Sequence, residues 1–389
     1  MTYQKSFHSS HHSSHHLMHF LELLALWIRK NTVLCIAFVA AIITSCIVPP
    51  DAQYAGYFDF KTLTCLFCVL AVVCALKNVK FFTILARKIV DCTGNLRMAT
   101  LALVYITFIG SMLIANDMAL LTFLPLGFFV LSSTGNNRYM AFVFIMQNIA
   151  ANLGGMLTPF GNPQNLYLYT KFNIPTGEFM GIMLLPFLAS IALITVCCLF
   201  LPHKAFSITE ECPYKLQGKR TALYLVLFAL SIVIVFRVIP YWIGLIVIPL
   251  VLMLADRDAL RKVDYPLLLT FVCFFIFAGN MARIPAVSGL FSSLLEKNTL
   301  LVSILSCQVI SNVPSAILLS QFTTDYPALL LGVNIGGTGT LISSLASLIT
   351  FREYTAHNPG KAGKYILMFS LFNFAFLILL TVLATALIA

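Results

Sequence analysis

Long apolar runs, separated by short polar punctuation, dominate this chain. Runs near 31–49, 62–77, 178–200, 220–238, 241–255, 266–280 and 364–388 each predict a helix, most close to the length of about 20 residues that crosses a bilayer. Between them the pattern changes. Two pairs of shorter segments, 97–114 with 117–132 and 299–311 with 314–323, are joined at Ala115-Asn116-Asp117 and at Ser311-Asn312-Val313. Two further runs, 138–171 and 326–350, are interrupted by glycine and small hydroxyl residues: "NLGGMLTPFG" (Asn152 to Gly161) and "NIGGTGTLIS" (Asn334 to Ser343). A basic amphipathic stretch, "KNVKFFTILARKIVDCTG" (Lys77 to Gly94), predicts a helix lying in the membrane interface, and a short polar helix is expected near 283–297.

The order of these elements repeats. Residues 31–200 read as span, span, interfacial helix, hairpin (97–132), broken helix (138–171), span. Residues 241–389 read the same way, with the hairpin at 299–323 and the broken helix at 326–350. A polar loop and one connector helix, 201–240, join them, and a His-rich tail occupies 1–30. If each hairpin enters and leaves on one side, a single connector crossing inverts the second repeat, and the count is about nine full crossings. The positive-inside rule then sets the orientation. One side carries Arg29, Lys77, Lys80, Arg87, Lys88, Lys204, Lys219, Arg257, Arg261, Arg352 and Lys361, whereas the other carries Lys61, Lys171, Arg283 and Lys297. The expectation is an all-α polytopic protein of the cell inner (plasma) membrane, with a cytoplasmic N-terminus and an outside C-terminus. It has two inverted repeats, re-entrant helical hairpins and two unwound transmembrane helices.

Composition agrees and excludes alternatives. Of 389 residues, 60% are hydrophobic and 10% charged, which is too little charge for the surface of a soluble domain. The net charge of +10 lies in loops between apolar runs, so it reads as a topology signal and not as a nucleic-acid surface. Most of the eleven cysteines sit inside apolar runs, where cysteine behaves as a small hydrophobe. Cys65 and Cys68 have metal-binding spacing but no partner pair, and "HSSHHSSHHLMH" (His8 to His19) reads as a solvated tail rather than a metal centre. No nucleophile, metal set or P-loop is apparent, so neither an enzyme nor a built-in ATPase is expected; a partner ATPase stays open.

The broken helices carry the chemistry. Unwound backbone at membrane depth survives only where protein or a wet cavity satisfies it, and matched breaks in two repeats point to a midplane transport site. Asn116, Asp117 and Ser311, Asn312 form the hairpin tips; Asn152, Gly154, Gly155, Thr158, Asn162 and Asn165 line the first break; and Asn334, Gly336, Gly337, Thr338, Gly339, Thr340 and Ser343 line the second. Singly, such glycines are more often packing contacts. The matched positions and the asparagines, costly in lipid without partners, favour a site. Helix N-termini at the tips suit an anion, and freed oxygens suit a cation. Asp117 is a candidate Na⁺ ligand or proton carrier, a reading favoured over that of a helix cap because caps and ion ligands can coincide at such breaks. Val313 stands at the matching position.

At "ANDMALLTFLPL", "NLGGMLTPFGNPQNLYLY", "SNVPSAILL" and "NIGGTGTLIS" the chain resembles the ion transporter superfamily of arsenite permeases, citrate transporters, sodium/proton antiporters and divalent anion/sodium symporters. It is most similar to the bacterial anion permease and citrate-transporter-like branch. The resemblance implies a homodimer with an elevator motion and one ion site near Asn116, Asp117, Asn152, Gly155 and Asn162, with Na⁺ as candidate ion near Asn116, Asp117 and Asn162. Its inverted mate lies near Asn312, Gly337, Thr338 and Thr340. The Ser-Asn-Thr tips of the divalent anion symporters read Ala115-Asn116-Asp117 and Ser311-Asn312-Val313 here, which shifts the expectation toward H⁺ or a single Na⁺. The implied function is secondary active transport of a small anion, an organic carboxylate such as citrate or a dicarboxylate, or an oxyanion such as arsenite. A sodium/proton antiporter is the alternative, and no cofactor is implied beyond the coupling ion.

Overall fold

The computed structural model describes residues 22, 27–28, 31–205 and 215–388. The His-rich stretch, Arg29, Lys30 and the centre of the loop after Ala205 lie outside the described residues. In chain order the helices are α1 (Thr32–Ile47), α2 (Phe60–Asn78), α3 (Phe81–Asp91), α4 (Leu96–Ile114), α5 (Asn116–Ser133), α6 (Met140–Gly154), α7 (Pro163–Lys171), α8 (Thr176–Leu199), α9 (Gly218–Val235), α10 (Tyr241–Ala255), α11 (Arg257–Arg261), α12 (Tyr265–Arg283), α13 (Pro285–Ile310), α14 (Asn312–Leu319), α15 (Tyr326–Ile335), α16 (Leu345–His357) and α17 (Ala362–Ile388). No strand occurs among the described residues; one isolated bridge pairs Asn95 with Ala205. The protein is an all-α polytopic membrane protein. Eight of these helices are long and apolar enough to cross a membrane: α2, α4, α5, α8, α9, α12, α13 and α17.

That set differs in membership from the nine crossings read from the sequence. It includes both arms of the first hairpin, each 18 or 19 residues and so about 27 Å long at 1.5 Å per residue. It omits α1 and α10, which are 16 and 15 residues, and the halves of the broken helices. The two hairpins are unequal. In the second, the helical φ/ψ of α13 fails at Asn298 (φ −166°), whose side chain accepts from the Leu301 N–H at 2.9 Å and caps a new start. The arm from there to Ile310 faces only the eight residues of α14, which ends four residues before the expected boundary at 323.

The chain divides into two compact units. The smaller comprises the N-terminal part through Phe58 together with Asp264–Asn280. Within it Asn280 Nδ2 donates to Thr44 Oγ1 and Ser45 Oγ at 3.3 and 3.2 Å, and the Tyr57 ring fills the space where a Cβ on Gly279 would stand.

The larger unit holds Asp59–Val263 and Met281–Ala389. Here α2 is buried against α9, α10 and α11. The basic helix α3 does not lie free: Arg87 is buried, pairs with Asp91 at 2.7 Å and stacks 4.3 Å over the Phe129 ring. The arms α4 and α5 pack along each other and on α6, and the arm of α13 packs on α14 and α15. The second halves of the broken helices cross over. The first break continues into α7, which packs on α14 and α15; the second continues into α16, which packs on α5 and α6. Each hairpin is thus sealed by the helix that leaves the other break.

Candidate substrate and ion site

The two hairpin tips share one backbone geometry. Ala115 (φ 65°, ψ 152°) and Ser311 (φ 75°, ψ 162°) both turn with positive φ, so one helix stops and the next starts within one residue. In each case the following asparagine folds its side chain back: Asn116 Oδ1 accepts from the Asp117 N–H and Asn312 Oδ1 from the Val313 N–H, both at 2.9 Å.

The two breaks match as well. Six residues after the leading asparagine, Thr158 donates to the Met112 carbonyl at 3.0 Å and Thr340 to the Gln308 carbonyl at 3.1 Å. Each acceptor stands four residues before its tip asparagine. The glycine two residues after the leading asparagine meets a hairpin arm in both cases. A Cβ on Gly154 would lie 2.3 Å from the Phe108 carbonyl oxygen and 2.5 Å from Ser111 Oγ; one on Gly336 would lie 2.9 Å from Cys307 Cβ. Ser111 and Cys307 are both five residues before a tip asparagine. These glycines let a hairpin arm reach the unwound strand, which a larger residue would prevent. The next helices restart at Asn162 and Ser344, both extended and both ten residues past the leading asparagine.

The asparagines meet in one buried network. Asn116 Nδ2 donates to Asn152 Oδ1 at 3.2 Å, and Ser344 Oγ donates to the same oxygen at 2.7 Å. Asn162 Nδ2 reaches the Asn152 carbonyl at 3.4 Å and Asn334 Oδ1 at 3.5 Å, and Asn334 Nδ2 donates to Asn165 Oδ1 at 2.6 Å. The second tip joins through Ser343, whose carbonyl accepts from the Asn312 N–H at 3.0 Å and from Ser311 Oγ at 3.2 Å. A Cβ on Gly155 would stand 2.5 Å from Asn162 Oδ1, and one on Gly337 3.1 Å from Asn312 Nδ2. Asn152 Nδ2, Asn162 Oδ1 and Gln164 Oε1 are buried without a protein partner. Buried polar atoms of this kind ask for a ligand, since leaving one unpaired costs about 1–3 kcal/mol.

The buried Thr338 hydroxyl donates to the Ile335 carbonyl at 2.6 Å, at the end of α15. Asp117 is half-buried in the first turn of α5. Sequence reasoning missed Gln308, Ser344 and the cluster in which Asn148 meets Ser347 and Thr350 at 3.4 Å. An amide four residues before a hairpin tip, as Gln308 is, was the available signal. A cleft of about 900 Å³ lies elsewhere, at the open end of the second hairpin between Lys171, Asn298, Gln321 and Asp325.

Through these contacts the N-termini of α5, α7, α14 and α16 are tied to one another. Each brings about half a positive charge, but at α14 no N–H is left free: Asn312 and Val313 donate to the Ser343 carbonyl and to Asn312 Oδ1, Pro314 has no N–H, and Ser315 donates to the Ser311 carbonyl. None of the named site residues is Lys, Arg or His. Helix N-termini and amides of this kind are the groups that bind phosphate and carboxylate in proteins.

Comparison with known proteins gives three matches. The family model described as "Citrate transporter" matches residues 22–328. An uncharacterized transporter of Methanocaldococcus jannaschii is 32% identical over 313 residues, covering 80% of this chain and 85% of that protein. The inner membrane protein YbiR of Escherichia coli is 32% identical over 284 residues, covering 70% of this chain and 74% of that protein.

Proposed function

This chain belongs to the citrate transporter family, and from that premise we propose that it is a secondary active transporter of a small anion, driven by H⁺ or Na⁺. The observation that carries the reading is the junction of four helix N-termini with a buried asparagine network at two matched breaks. The solute is an organic carboxylate such as citrate or a dicarboxylate, or an oxyanion such as arsenite. Asp117 is the group that takes up the coupling ion: it is a carboxylate at the first tip, beside Asn116, in a setting otherwise built from neutral amides and hydroxyls.

The matched tips and breaks support two inverted repeats and alternating access by an elevator motion, with a homodimer embedded in the plasma membrane. A sodium/proton antiporter would use the same carboxylate and no organic solute. Thermal unfolding of the purified protein decides between them. Citrate, succinate, malate, sulfate and arsenite are each added in Na⁺ and K⁺ buffers at two pH values. A ligand at 100 times its Kd stabilises by about 2.7 kcal/mol. The proposal expects a rise with one anion class, abolished by Asn116→Ala and by Asn312→Ala. A response to Na⁺ and pH with none to any anion would replace it with the antiporter.

A further inference from the structure

Unwinding a helix at membrane depth leaves carbonyl oxygens that something must satisfy. In the first break the carbonyls of Gly155, Met156 and Thr158 converge on a single atom, Asn165 Nδ2, at 3.2, 3.2 and 3.5 Å. In the second, the carbonyls of Gly336 and Thr338 converge on Gln308 Nε2 at 2.9 and 3.1 Å, and Ile304 adds its own at 3.2 Å.

The far end of each amide is engaged too. Asn165 Oδ1 accepts from Asn334 Nδ2 at 2.6 Å, and Gln308 Oε1 accepts from the Thr340 N–H at 2.9 Å. Gly339, at φ +117°, makes room for this: a Cβ there would stand 2.2 Å from Gln308 Oε1. The two amides come from unrelated places. Asn165 belongs to the helix that continues the break, whereas Gln308 belongs to a hairpin arm, where the matching residue of the first hairpin is Met112. Two different residues have arrived at one solution.

Convergent carbonyl oxygens of an unwound helix are what a membrane protein uses to hold an alkali cation. Here the centre of each cluster is filled by an NH₂ group, whose partial positive charge is part of the side chain. We infer that Asn165 and Gln308 are positioning residues that hold both breaks open in place of a bound cation, and that the carbonyl clusters at the two breaks are therefore closed to Na⁺. Na⁺, if it drives transport, binds away from both clusters. The inference concerns the breaks themselves and stands whichever solute is carried.

Isosteric exchange tests this. Gln308→Glu and Asn165→Asp each put oxygen where the NH₂ stood, which creates a carboxylate among carbonyls and calls for a cation. The thermal midpoint of the full chain is recorded in NaCl, NH₄Cl and choline chloride at one ionic strength, with no organic anion present. Each variant is expected to gain a rise of about 5 °C in Na⁺ or NH₄⁺ over choline, beyond the parent's own response. A folded variant that responds to cations as the parent does overturns the inference. If neither carboxylate variant folds, Gln308→Met decides: it removes the amide at similar length, and NH₄⁺ should raise its midpoint selectively. A midpoint indifferent to NH₄⁺ then refutes the idea. Because no solute is present, this outcome is separate from success or failure of the anion reading.

Discussion

The bond between Asn334 Nδ2 and Asn165 Oδ1, 2.6 Å long, is the shortest link between the two breaks, and its worth can be measured. Asn334→Ala removes it together with the contact to the Leu330 carbonyl at 2.8 Å. The Leu330 carbonyl stands inside α15, where the helix supplies its own donor. Asn165 Oδ1 loses its partner inside a fully buried site, which costs about 1–3 kcal/mol. Asn162 Nδ2 keeps the Asn152 carbonyl and so adds little. Asn165→Ala costs more, because three carbonyls of the first break lose their donor as well. In the double variant the orphaned oxygen is gone, so the Asn334 substitution should cost less there than in the parent. The coupling expected across a contact of this kind is roughly 1–2 kcal/mol, a few degrees in thermal midpoint. The buried thiols of Cys65, Cys68, Cys198 and Cys307 supply the assay, since a thiol-reactive dye reports their exposure on heating. Costs that add to within about 0.5 kcal/mol would refute the claim that this bond ties the two breaks together.

Two other outcomes follow from the geometry. Gly154→Ala should lower the thermal midpoint by several degrees, because its Cβ would meet the Phe108 backbone oxygen at 2.3 Å; Gly336→Ala should do the same against Cys307, and Gly94→Ala, with open space around it, should not. Overpacking of this kind costs about 1–3 kcal/mol; equal midpoints for Gly154→Ala and Gly94→Ala would contradict the close approach. Asp117→Asn should leave the fold intact, because it is close in shape and loses only the carboxylate's attraction to the helix N-terminus, about 0.3–1 kcal/mol. It should also abolish the dependence of anion binding on pH or Na⁺, read by titrating the anion at two pH values; a dependence equal to the parent's would remove Asp117 from the coupling role.

How much of this was legible in the chain depends on the range of the contacts. The hairpin tips were visible as Asn116 and Asn312 amid apolar sequence, because an amide in a membrane segment is costly without a partner. The breaks were visible because glycine and threonine recur at the same offsets from Asn152 and Asn334, and the restart at Asn162 was among the residues named. Gln308 was not singled out although its amide on an apolar arm was a signal of the same kind, because Met112 stands at the matching position of the first hairpin and the partners of Gln308 in the break lie 28 to 32 residues further along the chain. Ser344 escaped for the same reason, since its bond to Asn152 spans 192 residues.

The apolar runs and the glycine-, threonine- and asparagine-containing interruptions determined by themselves that this chain forms membrane helices and where two of them come apart. Burial in lipid makes those signals strong, because every backbone amide must be satisfied nearby. Only the tertiary structure decided that the helix leaving each break seals the opposite hairpin, that the last helix of the second hairpin ends at Leu319, that Arg87 is buried on an aromatic ring instead of facing water, and that side-chain amides fill both carbonyl clusters. Each of these rests on contacts between distant segments, whose energies depend on packing that no local window of sequence contains.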